Sequence, residues 1–520
     1  MAETKREIER KYDVVPGTEL PDLTRVAGVA GVLDKGVAEL DAVYYDTADQ
    51  RLAADSITLR RRTGGDDAGW HLKLPVSLAQ GVRDEVRAPL SDTVPRALLG
   101  LVRSRVRDAE LAPVMRLLSA RDLSHLVDPE GALLAELSVD RVRAERLTDE
   151  GGTAEWTEIE VELADDGDPA LLDQVEKRLR KAGVERSRSA SKLARARADT
   201  APKQRKAKKS GKKGAGFAGV EVPGAPETSA DHILAYLRTQ RDALIELDPA
   251  VRRDLPDSVH QMRVATRRMR SAFKSYGKVL DRTVTDPIGD ELKWLAGELG
   301  VDRDQEVLTE RLQTRLDAVP RTLLLGPVRG RLRAWAVANR AGSRRRTVAV
   351  LDGKRYLALL EAVDALLADP PLGRAADGAP EDVLAKAVLK DYGRLATRVG
   401  HALALPPGQE RDLALHEARK AAKRARYAGE AAVPALGKGA QRFAKRMKKV
   451  QTVLGDHQDS VVARDALRHL AILAHASGET AFTWGLLYGQ EEAAAAERER
   501  ELPRVWKKAS AQRLRAALVP

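Results

Sequence analysis

The chain has 520 residues, 43% hydrophobic and 32% charged, with 4% aromatic and no cysteine. That length allows two or three domains with aliphatic cores, and the missing cysteine excludes disulfides, thiolate metal sites and cysteine nucleophiles. The net charge of +12 is unevenly shared: residues 1–200 carry 31 basic and 38 acidic side chains, a balance of −7, and the remainder carries 58 and 39, a balance of +19, which suits the second part to a large polyanion.

The opening MAETKREIERKYDV has no apolar run behind its charges, and no stretch approaches the ~18 apolar residues of a membrane span. The expectation is a cytoplasmic protein without a membrane partner. Short alternating runs follow: EIERKYDV, AVYYDT, ITLRRRT, GWHLKLP, VRDEVRAPL, APVMRLLSARDL, ALLAELSVDRV and WTEIEVEL. Turn sequences such as GGDDAG, DPEG and DEGG separate many of them, as in antiparallel strands. Helical stretches are predicted near 20–31, 94–107 and 169–183. The segment from 203 to 213 has seven basic residues, no acid and no apolar anchor, so 201–227 reads as a linker. Beyond it Ala, Leu, Arg and Glu recur with helical period, broken at Pro and Gly.

Side chains two apart on a strand share a face. Glu7, Glu9 and Lys11 therefore point one way, as do Glu158, Glu160 and Glu162 of WTEIEVEL. Arg60 and Arg62 align on ITLRRRT, and Lys73 lies on GWHLKLP. A charged face on one strand is ordinary solvent exposure. Several acid-rich and base-rich strands together could instead close around a lumen, with their apolar faces against helices. Such a lumen is tolerable only when filled by water and ligand: a polyanion on Arg and Lys, and divalent cations on Glu. Hard oxygen donors suit Mg²⁺ or Mn²⁺. Neither a P-loop nor a Gly-rich dinucleotide fingerprint is present.

The ordered set formed by E-x-E-x-K (7–11), YYDT (44–47), LRRR (59–62), the Lys of HLKLP, EIEVE and SASKLARA (189–196) resembles the CYTH superfamily of triphosphate tunnel metalloenzymes over residues 1–200. The resemblance implies an eight-stranded antiparallel β tunnel with flanking helices and action on triphosphate compounds. It implies phosphate contacts from Lys11, Arg60, Arg62, Lys73, Arg121 and Lys192. Metal ligands would be Glu7, Glu9, Glu158 and Glu160, joined by Glu136 and Asp140. MRLLSAR admits Arg116 or Arg121, with Arg121 favoured. Glu85 and Arg87 are tunnel or rim residues, Glu162 lies near a strand end, and His71 is placed at the rim or in solvent.

In the helical part, HQMRVATRRMR (260–270) and HEARKAAKRAR (416–426) share H-x-x-R-x-A-x-[RK]-R-x-R. Each is followed by L-G-x-x-[RQ]-D-x-x-V, within 298–307 and 453–462, which indicates duplication of a helical unit. His260, Arg263, Arg267, Arg270 and Lys274 form one helical stripe; His416, Arg419, Lys423 and Arg426 form its counterpart, flanked by Lys420 and Arg424. Few acids lie within these segments, so an external polyanion would relieve the like-charge repulsion. This pattern resembles the CHAD domain from about 228 to 515, which implies an all-α duplicated four-helix bundle around a basic pore that binds inorganic polyphosphate through the residues of both stripes and Lys420. Asp304 and Asp459 would anchor basic side chains, and His457 would be structural or rim. Nucleic acid is disfavoured, because nothing among the stripes offers a base-stacking surface.

The expectation is thus an α+β multidomain enzyme: a tunnel domain at 1–200, the linker at 201–227 and a helical domain at 228–515. It would hydrolyse inorganic triphosphate with Mg²⁺ or Mn²⁺ and bind polyphosphate, placing it at polyphosphate granules. An adenylate cyclase, another organic triphosphatase and a non-catalytic polyphosphate scaffold are the alternatives. Self-association is left open.

Overall fold

The computed structural model describes residues 3–15, 18–76, 81–148, 151–202, 226–340 and 343–519. The chain divides into two compact units, Met1–Phe217 and Ala218–Pro520. Most of the segment expected as a linker, 203–225, lies outside the described residues.

The first unit contains β1 (Glu3–Asp13), β2 (Gly31–Asp46), β3 (Thr58–Thr63), β4 (Gly69–Pro75), β5 (Val82–Ala88), β6 (Ala112–Val127), β7 (Leu133–Arg146), β8 (Thr153–Leu163) and β9 (Glu185–Arg186). Its helices are α1 (Arg51–Ala54), α2 (Arg96–Val106), α3 (Ala170–Lys181) and α4 (Lys192–Asp199). Strand order is β5-β4-β3-β2-β6-β7-β8-β1, and β1 pairs back onto β5 to close an eight-stranded antiparallel barrel, with β9 added on the edge of β1. Around the charged part of the barrel the apolar residues face outward, where helices cover them. Leu171, Leu172, Val175 and Leu179 of α3 bury Tyr12, Leu137, Ile159 and Val161. Leu98, Leu101 and Val102 of α2 bury Leu59, Trp70, Leu72 and Val86. Burial of this kind contributes roughly 1.5–3 kcal/mol per large side chain.

One end of the lumen is not charged. Ala42, Tyr44, Met115, Leu117, Val142, Ala144 and Trp156 pack there around Leu193 and Ala196 of α4, so this helix plugs the barrel. Two further expectations are corrected. The predicted helix at 20–31 is a single 3₁₀ turn, Leu23–Arg25, and β2 begins at Gly31, eleven residues before the AVYYDT run. Pairing with the sixteen-residue β6 overrides the local propensity there. Asp46 of YYDT is buried beneath α1, accepting from Leu52 N and Ala53 N at 2.9 and 3.0 Å, which makes it a structural cap.

The second unit is helical: α5 (Ser229–Arg252), α6 (Ser258–Ser275), α7 (Arg282–Glu298), α8 (Gly300–Asp317), α9 (Val328–Arg340), α10 (Ser343–Asp352), α11 (Lys354–Ala368), α12 (Pro380–Ala404), α13 (Gln409–Ala431), α14 (Val433–Ala476), α15 (Phe482–Ala509) and α16 (Gln512–Ala516). One large core joins the two copies of the repeat, from Met262, Met269 and Phe273 on α6 to the alanines of α13 and Phe443 and Met447 of α14. The copies are unequal. The first L-G-x-x-R-D motif spans the break between α7 and α8, whereas the second lies inside the continuous C-terminal part of α14.

Candidate functional site

Strand register decides what enters the lumen. Arg121 lies opposite Asp140, which lies opposite Glu158; Lys11 faces Glu160, Arg60 faces both Tyr44 and His71, and Lys73 faces Glu85. Paired residues share a side of the sheet, so the charged residues of all eight strands converge. They wall a cavity of about 630 Å³ lined by ten lysines and arginines and eight carboxylates.

The deep end is organised by α4. Ser191 accepts from Ala194 N at 3.1 Å and starts the helix, which directs Lys192 back into the chamber. Its ammonium stands 2.9 Å from Asp140, 3.0 Å from Glu158 and 2.5 Å from Glu160. Arg121 grips Asp140 with two bonds of 2.8 Å and donates to Glu160 at 2.9 Å. Lys11 pairs with Glu160 and with Glu9, the latter at 3.2 Å. Burial alone would drive the Glu160 carboxyl up, but Lys11, Lys192 and Arg121 hold it well below the usual range. Burial likewise pulls the Lys192 ammonium down, and Asp140, Glu160 and Glu158 more than restore it.

Toward the mouth, Lys73 pairs with Glu7 at 2.5 Å and Lys5 with Glu162 at 2.9 Å. Glu85 collects Arg87, His71 at 3.0 Å and Arg60 at 3.7 Å. The turn between β3 and β4 folds back, so that Asp67 pairs with Arg62. That turn needs Gly64, whose φ is +80° and on which a Cβ would stand 1.9 Å from Glu39 O.

Several sequence-derived placements change. Arg121 points inward, whereas Arg116 lies on the outer face, clamped to Asp41 at 2.7 and 3.0 Å. His71 is neither rim nor solvent. It is 1% exposed, shares Nδ1 with Glu85, and has Nε2 2.9 Å from Asp67 O; burial pushes its pKa down to about 4, so it is neutral near pH 7. Asp140 and Glu158 do not line the cavity but lie beneath it, Glu158 also accepting from Trp156 Nε1 at 2.6 Å. Glu136 does line the cavity, but its carboxylate lies 3.5 Å from His125, apart from the acidic group at the floor. Glu162 reaches the cavity despite its place near the strand end. Lys5, Lys35, Arg83 and Asp67 line it without having been singled out, and Glu85 and Arg87 prove to be tunnel residues.

The donor set fits a hard divalent cation. Carboxylates supply it, and the buried His71 imidazole is committed to Glu85 and Asp67 O. Glu7 is 2% exposed, and its carboxyl is pushed up to about 7 by burial and by Glu85, Glu162 and Glu9, with Lys73 opposing. A dication there would relieve this crowding of acids. Glu7, Glu9 and Glu160 border the cavity, and oxygens of Asp140, Glu158 and Glu160 lie within 4.8 Å of one another.

In the second unit, α6 carries His260, Arg263, Arg267, Arg270 and Lys274, and α13 carries His416, Arg419, Lys420, Lys423 and Arg426. Tyr276 Oη donates to Ala428 O at 2.6 Å and ties the segment after α6 to α13. The second motif of the repeat has a physical reason. Asp304 binds Arg263 at 2.9 and 3.1 Å, and Asp459 meets Arg419 at 3.5 Å. A Cβ on Gly300 would stand 2.8 Å from the Arg263 guanidinium, and one on Gly455 would stand 3.6 Å from that of Arg419. Glycine leaves room for each guanidinium and aspartate holds it. Acids of α13 itself offset further cations of its stripe: Lys420 pairs with Glu417 at 2.6 Å and Arg426 with Glu430 at 2.7 Å.

Arg267 and Lys423 fare differently. Burial and then Arg263 and Arg419 hold Arg267 below its ordinary value. Burial, Arg419, Arg267 and Arg263 push the Lys423 ammonium down to about 7, with Asp459 opposing. This mutual repulsion places four cations of two helices in one cluster. Lys274 is held down by burial, Arg270 and Arg424. His416 Nδ1 is 2.6 Å from Gln458; the side chain of Arg303, its counterpart in the first copy, lies outside the described residues. His457 is a structural node, buried with Nε2 3.2 Å from Glu499 and 3.3 Å from Asp412, whose charges Arg411 and Arg464 balance. Among the described residues no helix is long and apolar enough to cross a membrane.

A closed antiparallel barrel with opposed acids and bases inside defines a triphosphate-tunnel protein. Residues 5–196 match the CYTH domain and residues 235–468 the CHAD domain. Two Mycobacterium tuberculosis proteins, MT2285 and Rv2226, are each 40% identical over 513 residues, covering 95% of this chain and 94% of their own. The chain belongs to the family that joins a CYTH domain to a CHAD domain. The solved structure of PptA from Streptomyces chartreusis is 20% identical, with a TM-score of 0.46, and the match covers 54% of this chain and all of that one. CYTH domains take triphosphate substrates, depend on metals, and are typically triphosphatases or cyclases.

Proposed function

We propose that the tunnel hydrolyses inorganic tripolyphosphate with Mg²⁺ or Mn²⁺, and that the helical unit binds inorganic polyphosphate. The observation that carries this reading is the chamber wall: ten cationic side chains interleaved with eight carboxylates, around a volume closed at one end by α4. A short linear polyanion with its cations satisfies both sets of charges. Tyr44, whose hydroxyl accepts from Arg60, and His125 are the aromatic rings of that wall among the described residues, and the rest of it is predominantly ionic. This favours an inorganic chain over ATP.

Lys11, Arg121 and Lys192 hold the terminal phosphate at the deep end, and Arg60, Arg62 and Lys73 hold the rest in line. Glu7, Glu9 and Glu160 would hold the cation, with Asp140 and Glu158 behind them. Such an ion supplies charge neutralisation on phosphate oxygens and lowers the pKa of a bound water. Asp67 takes the Nη2 end of Arg62, and the Nε of that guanidinium has no protein partner, so it can donate to phosphate. The test is phosphate release from tripolyphosphate against cyclic AMP formation from ATP, using the full-length protein and Mg²⁺ or Mn²⁺. Phosphate release with no cyclic nucleotide is expected; the reverse result replaces this reading with a cyclase, and neither product leaves a binding scaffold.

Glu7 gives a pH signature. Its carboxyl titrates near 7 and must ionise to take a cation, so Mn²⁺ affinity rises with pH below 7 and levels above it. Calorimetry should show weakening of up to about tenfold per unit as pH falls from 7 to 6, with proton release on binding.

A further inference from the structure

On the edge of β1 that faces β5, pairing runs from Glu3 opposite Arg87 to Ile8 opposite Val82. The last tie is Glu9 N to Gly81 O at 3.0 Å. β9 takes the same edge only at Tyr12 and Asp13, preceded by Ser187 N to Lys11 O at 2.9 Å. Between these ties β1 has no strand beside it among the described residues. A second cavity of about 330 Å³ lies against this gap, and Arg10, Gly81, Arg186, Ser187, Arg188 and Ser189 are among the residues that line it. Glu9, Lys11 and Arg83 line both this cavity and the main chamber. Arg83 is a fixed post in the dividing wall, its guanidinium bonded to Ser56 O at 3.1 Å and Ala190 O at 3.0 Å. The gap lies beside Lys11 and Glu9, and the wall of Glu9, Lys11 and Arg83 separates the second cavity from the main chamber, which Lys35, Asp67 and Glu136 border elsewhere.

We propose that this gap in the β1 edge is an exit for orthophosphate, separate from the mouth through which the triphosphate enters. The proposal rests on the tripolyphosphatase reading. In that reaction a water oxygen bonds to the terminal phosphorus, the bond from that phosphorus to the bridging oxygen breaks, and the bridging oxygen keeps the electron pair on pyrophosphate. The proton lost by water goes to the products or solvent. Orthophosphate then lies at the floor, with α4 behind it and pyrophosphate between it and the mouth. Without a second opening, pyrophosphate has to leave first. Through the gap, orthophosphate leaves first past Lys11 and the arginines of the second cavity, and a longer chain can advance to Lys11 and Lys192 for another cleavage without dissociating.

The two routes predict opposite orders of release, which product inhibition of the full-length enzyme reads directly. With tripolyphosphate varied at fixed Mg²⁺ or Mn²⁺, pyrophosphate is expected to inhibit competitively as the last product off, and orthophosphate noncompetitively as the first. Competitive inhibition by orthophosphate, whatever the pyrophosphate pattern, overturns the exit while leaving the hydrolytic reading standing. If tripolyphosphate yields no orthophosphate at all, the hydrolytic reading falls and takes the exit with it.

Discussion

On the proposed reading, Glu9→Gln is expected to lower kcat for tripolyphosphate by about 10³-fold, the scale expected when a charge acting on the reacting centre is removed from a water-poor site. Glu9 is 7% exposed, and its carboxyl stays ionised because Lys11, Lys73 and Lys192 outweigh burial and the nearby Glu160. It is therefore an anion at neutral pH, at the wall where Glu7 and Glu160 also end. The amide keeps the shape and loses the charge. Lys11 retains Glu160 as a partner, so folding stability should move by no more than about 1 kcal/mol. Three measurements separate catalysis from damage: kcat, Mn²⁺ affinity, and the denaturant midpoint. The first two should fall together with the third unchanged, and polyphosphate retention by the helical unit should stay as it was. A loss of kcat under tenfold would remove Glu9 from the cation-binding set.

Most of the chamber was legible because a strand has a period of two. Once Glu7, Glu9 and Lys11 share a face, the same parity carries Arg60, Arg62, Lys73, Arg121 and Glu160 inward, and hydrophobic residues take the other side. Residues that escaped this reading broke the period. Lys35 sits where the register of β2 and β6 shifts between Asp34 and Val37. Asp67 belongs to a turn, and only the backbone reversal at Gly64 brings it onto Arg62. The plug was hidden for a different reason: two apolar side chains, Leu193 and Ala196, are too few to register as an apolar face. The apolar segment before β2 looked helical because its small residues suit either state, and its fate depended on β6, about ninety residues away. In the helical unit the 3.6-residue period exposed both stripes and the duplication exposed Asp304 and Asp459. The acids that pair across helices, and the inequality between α7–α8 and α14, have no such periodic signature.

On the proposed polyphosphate reading, the paired charge reversal Arg267→Glu with Lys423→Glu is expected to weaken binding to the helical unit by about 10²–10³-fold, since placing like charges against a polyanion costs several kcal/mol. These two positions are chosen because their neighbours on the seam are already committed: Arg263 to Asp304, Arg419 to Asp459 and Arg426 to Glu430. Arg267 and Lys423 instead sit against other cations, and that repulsion is what a bound polyanion removes. The same logic fixes the pH dependence of the native protein. The Lys423 ammonium titrates near 7 when the site is empty, and a bound polyanion raises that value by stabilising the charged form. Binding then takes up a proton above pH 7, so affinity is highest below 7 and falls as pH rises, by up to about tenfold per unit. Histidine ordinarily titrates below this window, and His416 is pushed lower still, first by burial. Lys423→Arg keeps the charge at every pH in the range, so its affinity should be flat between pH 7 and 9 where the native protein's declines. Calorimetric titration of a single polyphosphate length at pH 7, 8 and 9 into both proteins decides the matter; parallel declines would take Lys423 off the binding surface.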